Sequence, residues 1–141
     1  MSAPAEKSVA TRIAWKPGVC DDFGMALRVL IVDDHPGFRA RARALLESEG
    51  FEVVGEAGSG ADGVRTAREL APDVVLLDVQ LPDTDGFAVA SAVTENDGGV
   101  QVVLTSSRDG SDFGALVGSC GARGFIAKAE LSGARVAALL Q

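Results

Sequence analysis

Two acidic clusters close apolar runs in this chain. Leu27–Val32 leads directly into Asp33-Asp34, and Val74–Leu77 leads directly into Asp78. An ionised carboxylate inside a buried strand costs several kcal/mol unless it is paired. At a strand's carboxyl end the chain leaves the sheet and a cation can sit beside it. Parallel α/β sheets place their ligands there, outside the carboxyl ends of neighbouring strands. Three carboxylates converging on one point form a hard-oxygen site suited to Mg²⁺. Two more residues able to do chemistry follow later apolar runs. Thr105 stands behind Val102–Leu104, with Ser106 and Ser107 after it, and Lys128 stands three residues beyond Phe125. Lys128 is one of only three lysines and the only one after residue 16. His35 adjoins the acidic pair but reads as a loop residue at a helix entrance, since Mg²⁺ prefers oxygen.

These residues need elements to position them. Apolar runs begin at Leu27, Phe51, Val74, Val100 and Gly124, with starts 24, 23, 26 and 24 residues apart. That spacing suits a strand, a loop, a three-turn helix and a second loop. Leu27–Val32, Val74–Leu77 and Val102–Leu104 are almost continuously apolar, as strands covered on both faces are. Phe51–Ala57 is interrupted by Glu52 and Glu56 and reads as an edge strand.

The helices fall between the runs. Pro36 suits a first helical turn. Phe38, Ala42, Leu45 and Leu46 then mark one face, and Gly50 is a plausible stop. Asp62–Leu70, Phe87–Val93 behind the Asp85-Gly86 turn pair, Phe113–Cys120 and Glu130–Leu140 complete five βα units. Right-handed connections make this a doubly wound α/β domain with a five-stranded parallel sheet and five helices.

Composition narrows the function. A chain of 141 residues is one domain of common size. No apolar stretch approaches the ~20 residues of a membrane span. The net charge of −7 disfavours direct nucleic-acid binding, which needs a basic surface. Cys20 and Cys120 have no metal-type spacing and read as reduced thiols of a cytoplasmic protein. Residues 1–24 are rich in small and polar types, with three acids and three bases and no convincing period. They read as a disordered tail without the apolar core of a signal peptide, Trp15 being the one residue that invites docking. The folded domain is expected over residues 25–141.

The acidic pair Asp33-Asp34, Asp78, Leu81-Pro82, Asp85-Gly86, Thr105 and Lys128, in this order at the ends of these strands, resemble a response regulator receiver domain. This is the CheY-like fold of bacterial two-component signalling. The resemblance runs from Leu27 to the C-terminus, and Asp33-Asp34-His35-Pro36 followed by Arg39 looks most like receivers of the NarL type. It implies the flavodoxin-like strand order 2-1-3-4-5. It also implies that Asp78 is the phosphoacceptor. Asp33, Asp34, Asp78 and the backbone carbonyl of Gln80 would hold Mg²⁺. Thr105 and Lys128 would bind phosphoryl oxygens, and Phe125 would occupy the aromatic switch position. Such a domain is a signalling module that slowly hydrolyses its own phosphate, not an enzyme in the metabolic sense.

The chain departs from the family where Ala129 follows the lysine in place of a common proline. A cis Lys128–Ala129 bond is therefore disfavoured by ~3 kcal/mol. Phe125 lacks the hydroxyl of a tyrosine, and Thr84 replaces a hydrophobic residue.

The resemblance also implies partners: a histidine kinase or phosphotransfer protein that docks on the first helix, and a second copy or an output domain on the fourth and fifth helices. Arg39, Arg43 and Glu47 form an i, i+4, i+8 stripe, either a docking face or a solvated one. In the last helix, Leu131, Ala134, Ala138 and Leu139 are expected to cover the sheet. Val136, Ala137 and Leu140 would then face outward as an apolar contact patch. NarL-type receivers usually precede a DNA-binding domain, so the sequence is compatible with a stand-alone receiver or with part of a longer protein. Two other classes compete: a pseudo-receiver that binds partners without phosphate, and an aspartyl-phosphate hydrolase. Intact Asp78, Thr105 and Lys128 argue against the first. The absence of a DxDx[TV] motif around Asp78, with Gln80 in the way, argues against the second.

Overall fold

The computed structural model describes residues 26–96, 99–107, 117 and 119–140. The expected tail, with Trp15 and Cys20, lies outside these residues. Five strands, β1 (Arg28–Val32), β2 (Glu52–Ala57), β3 (Val74–Asp78), β4 (Gln101–Ser106) and β5 (Gly124–Ala127), form one sheet in the order β2-β1-β3-β4-β5. Every pairing is parallel. The strand carrying Glu52 and Glu56 is at an edge, as its mixed pattern implies.

Alternation along the strands divides the core into two layers. Val29 and Ile31 of β1, Val74 and Leu76 of β3, Val103 of β4 and Ile126 of β5 join one cluster with Phe38, Ala42 and Leu46 of α1 (Pro36–Ser48). Leu30, Val32, Val75, Leu77, Val102 and Leu104 point the other way. They meet Ala67 of α2 (Gly60–Leu70) and Val89, Ala90 and Val93 of α3 (Gly86–Asn96). Both faces of β3 are sealed, which is why its sequence shows no polar alternation. Burying each such Val, Leu or Ile contributes ~1.5–3 kcal/mol relative to exposure.

Local signals set the helix ends. Pro36 opens α1, and Gly50 follows it with φ of 98°, a left-handed conformation that favours glycine. Ser59 caps α2 by accepting from the Asp62 N–H at 3.2 Å, so this helix starts at Gly60, ahead of the expected Asp62. Four helices lie among the described residues. Most of the expected helix Phe113–Cys120 falls outside them, although residues 117 and 119 are helical.

The last helix corrects an expectation. A 3₁₀ turn at Lys128–Glu130 and extended backbone at Leu131 precede it, so α4 begins only at Gly133 and runs to Leu140. Leu131 is therefore not on the helix, and the phase shifts. Gly133, Val136, Ala137 and Leu140 are buried at i, i+3, i+4 and i+7. Ala134 and Ala138 face outward with Arg135. Val136, Ala137 and Leu140 belong to the core and form no exposed patch. Leu131 and Leu139 do pack, partly buried, against that core.

Candidate functional site

Strand register brings the chemistry together. Leu77 pairs with Val32, Asp78 with Thr105, and Thr105 with Ile126. Asp33, Asp78, Thr105 and Lys128 each continue the alternate row that carries Ile31, Leu76, Val103 and Ile126. All four rows face the α1 side of the sheet. One residue of slip in any strand would send its functional group to the other side.

Asp33 is buried at 1% exposure and tightly held. Its N–H donates to the Ala57 carbonyl at 2.9 Å. Its Oδ1 accepts from the His35 backbone N–H at 2.8 Å and lies 2.9 Å from His35 Nδ1. Its Oδ2 faces Lys128 Nζ at 2.6 Å, a charge contact without hydrogen-bond geometry. Asp78 is also buried. Its Oδ1 accepts from the Gln80 N–H at 3.1 Å, and its Oδ2 lies 3.3 Å from Lys128 Nζ. Burial pushes the Asp78 carboxyl above its ordinary range. The Gln80 N–H draws it back, the charge of Asp33 adds to the rise, and Lys128 opposes it. Asp34 is the exposed member, with Oδ1 3.2 Å from His35 Nδ1. Asp33, Asp34, His35 and Asp78 offer ligand atoms within 4.8 Å of one another. His35 is the loop residue expected at the entrance of α1, and its ring touches both acids.

Lys128 is held from a second direction. Its Nζ lies 4.6 Å from the centroid of the Phe38 ring, a cation–π contact that fixes the ammonium without neutralising it. Phe38 read as a core residue only. Thr105 is 1% exposed, and its Oγ1 has no hydrogen-bond partner. A buried hydroxyl without a partner is costly and calls for one. Phe125 pairs with Leu104 and packs, half-buried, against the cluster on the α2 and α3 side. All described peptide bonds are trans, including Lys128–Ala129.

The loop after β3 is braced by residues whose roles were not legible in the sequence. Gln80 bridges to Asp85, and the Gly86 N–H donates to the Val79 carbonyl at 2.6 Å. A Cβ on Gly86 would lie 2.3 Å from the Asp78 carbonyl oxygen, so only glycine lets the loop close on the phosphoacceptor candidate. Further out, Asp83 accepts from the Gly60 and Ala61 N–H groups at 2.7 and 3.0 Å. Those two bonds hold its carboxyl below the usual range and tie the loop to the start of α2.

The α1 stripe differs from a free docking face. Arg39 and Arg43 both bond Glu56 of β2, at 3.0 and 2.7 Å, and Glu47 is the most exposed of the three.

The family model for the response regulator receiver domain matches residues 29–139. The chain is 40% identical over 103 residues to the virulence-factor transcription regulator BvgA of Bordetella pertussis, covering 73% of this chain and 49% of that one. It thus spans about half the length of the first curated relatives it matches. The signal receiver domain of NarL from Mycobacterium tuberculosis superposes with a TM-score of 0.72 at 38% identity, covering 82% of this chain and 94% of that one. The CheX–CheY–BeF3–Mg complex from Borrelia burgdorferi gives a TM-score of 0.77 at 29% identity, covering 87% and 92%.

Proposed function

This chain belongs to the response regulator receiver domain family of two-component systems, and on that premise we propose that Asp78 accepts a phosphoryl group from a phosphohistidine donor. The observation that carries this reading is the gathering of Asp33, Asp34, Asp78 and Lys128 at the carboxyl ends of β1, β3 and β5, with one ammonium against three carboxylates. Asp33, Asp34, Asp78 and the Gln80 carbonyl would hold Mg²⁺. The donor set fits: it offers oxygens in excess of the local positive charge, including a buried Asp33 Oδ2 that lacks a hydrogen bond. When bound, the ion supplies positive charge that offsets negative charge on the phosphoryl oxygens.

The chain's own groups do the rest. An Asp78 carboxylate oxygen attacks phosphorus, forming the acyl phosphate as the P–N bond to the donor imidazole breaks and its electron pair stays on that nitrogen. The Gln80 N–H orients the carboxylate. Lys128 gives the phosphoryl group a point charge, and the unpartnered Thr105 hydroxyl donates to a phosphoryl oxygen. Drawing Thr105 toward the phosphoryl group would open space at the carboxyl end of β4, and the half-buried Phe125, which packs on the opposite face of the sheet, would turn around the strand end toward it. Completing the burial of a Phe ring contributes up to ~1.5–3 kcal/mol, enough to shift a two-state equilibrium about tenfold or more. The surface around β5 and the last two helices would then be read by a second copy or an output domain. A histidine kinase or phosphotransfer protein would be the donor, and the domain would then work in the cytoplasm. No described helix is long and apolar enough to cross a membrane. Residues 25–141 would form the receiver behind a tail of residues 1–24.

Intact mass after incubation with acetyl phosphate and Mg²⁺ tests the reading. One phosphoryl group is expected on the wild type and none on Asp78→Asn. An unmodified wild type under excess donor would instead favour a phosphate-independent pseudo-receiver.

A further inference from the structure

The main chain of Asp33 is gripped on both sides. Its N–H donates to the last carbonyl of β2, Ala57, at 2.9 Å. Its carbonyl accepts from Arg39 Nη1 at 2.6 Å. The same guanidinium donates through Nε to Glu56 Oε1 at 3.0 Å, while Glu56 Oε2 accepts from Arg43 at 2.7 Å. The Arg39 side chain is 21% exposed, too covered for a freely solvated charge. Asp33 Oδ1 is already taken by His35, so the Arg39 contact fixes the last adjustable part of the peptide that joins Asp33 to Asp34.

We propose that Arg39 is a positioning residue for the acidic pair: it locks the Asp33–Asp34 peptide so that both carboxylates face Asp78, and Glu56 locks Arg39. This extends the proposed function, because it rests on Asp33 and Asp34 holding Mg²⁺. It gives Arg39 a role beyond the stripe that reads as either a docking face or a solvated one. A guanidinium suits the task because its planar fork serves two acceptors in fixed directions, which a lysine ammonium on a flexible stem does not. Groups that orient metal ligands from behind typically change metal affinity by about 10–100-fold when replaced.

The sign of the effect separates positioning from simple charge. Arg39 is a cation close to a cation site. If its charge were all that mattered, removing it would tighten Mg²⁺ binding. If it positions the ligands, removing it loosens binding. The test is Mg²⁺ titration of the wild type, Arg39→Met, Arg39→Lys and Arg43→Met. Amide exchange at His35, whose N–H bonds Asp33 Oδ1, is measured on the same proteins without metal. Arg43→Met removes the same charge and a bond to the same Glu56, but does not touch Asp33.

Both Arg39 variants are expected to weaken Mg²⁺ binding about tenfold or more and to speed His35 exchange, with Arg43→Met close to wild type in both. Tighter or unchanged Mg²⁺ binding with unchanged His35 exchange in Arg39→Met overturns the proposal. So does an Arg43→Met that loses as much as Arg39→Met, since the effect would then be general destabilisation. A wild type that binds no Mg²⁺ overturns the proposed function instead. His35 exchange in the metal-free variants still decides the role of Arg39.

Discussion

The two ends of the sheet each bury an aspartate, and they treat it in opposite ways. At the amino end, the Asp73 carboxylate accepts from the Arg28 N–H at 2.9 Å. Its main-chain N–H donates to the Arg28 carbonyl and its carbonyl accepts from the Gln101 N–H. The Arg28 guanidinium then turns to the Ala71 carbonyl at 2.8 Å. This polar cluster bonds strand to strand through backbone groups. At the carboxyl end, Asp33 and Asp78 share one ammonium, Asp34 adds a third carboxylate, and the Thr105 hydroxyl is left without a partner. The difference separates structural from functional charge. Where bonds close, a buried acid holds the fold together. Where they stay open and one sign predominates, the carboxylates keep oxygens that a cation could take.

Substitutions should therefore have opposite consequences at the two ends. Asp78→Asn should abolish phosphoryl incorporation completely while leaving stability equal or higher, because it removes a carboxylate that Asp33 repels. Intact mass and a denaturant melt read both. Asp73→Ala should do the reverse. It leaves the part-buried Arg28 N–H without its acceptor, at up to ~1–3 kcal/mol of stability, with phosphorylation retained below the melting range. If Asp73→Ala abolished phosphorylation in folded protein, the two ends would not be independent.

A smaller effect concerns the ion. Mg²⁺ at about one hundred times its dissociation constant should stabilise the wild type by ~2.7 kcal/mol. Asp34→Ala should lose most of that gain without lowering the metal-free melting temperature, since Asp34 is exposed and adds only to a surplus of negative charge. A wild-type melt that does not respond to Mg²⁺ would sink this expectation.

The smallest effect is in pH. The Asp78 carboxyl is raised in the folded state, so the folded protein holds its proton at a pH where the unfolded chain has lost it. That contribution to stability is fully present below the unfolded value of ~3.9 and fades as pH rises through the raised folded value. Stability without metal should fall with pH across that window in the wild type, and this component should vanish in Asp78→Asn. Denaturant midpoints at a series of pH values measure it. A slope that survives the substitution would assign it to another group.

Much of this contrast was legible in the sequence, and its limits have physical causes. Carboxylates behind apolar runs stand out because a buried strand excludes them, so Asp33, Asp34 and Asp78 could be found from type and position alone. Alternation could not reveal strand order, because a strand sealed on both faces carries no record of its neighbours. That order came through the family resemblance. The phase of the last helix is not legible, because Val136, Ala137, Ala138, Leu139 and Leu140 offer no polar residue to mark the outside. Its true start at Gly133 depends on the 3₁₀ turn at Lys128. Asp73, Asp83 and Arg39 were not legible as structural or positioning residues. Their partners are backbone groups 45, 23 and 6 positions away for Arg28, Gly60 and Asp33, brought close only by the fold. Asp85-Gly86 reads as a turn pair, but the approach of Gly86 to the Asp78 carbonyl appears only once the loop closes.

The central claim is that the open carboxyl end takes a phosphoryl group on Asp78. Borohydride reduction after treatment with acetyl phosphate and Mg²⁺, followed by peptide mass analysis, tests it most directly, because reduction converts an aspartyl phosphate to homoserine in place. Homoserine at position 78 alone is the expected result. Homoserine at position 33 or 34, or a reduction-resistant phosphoryl group on His35, would contradict it.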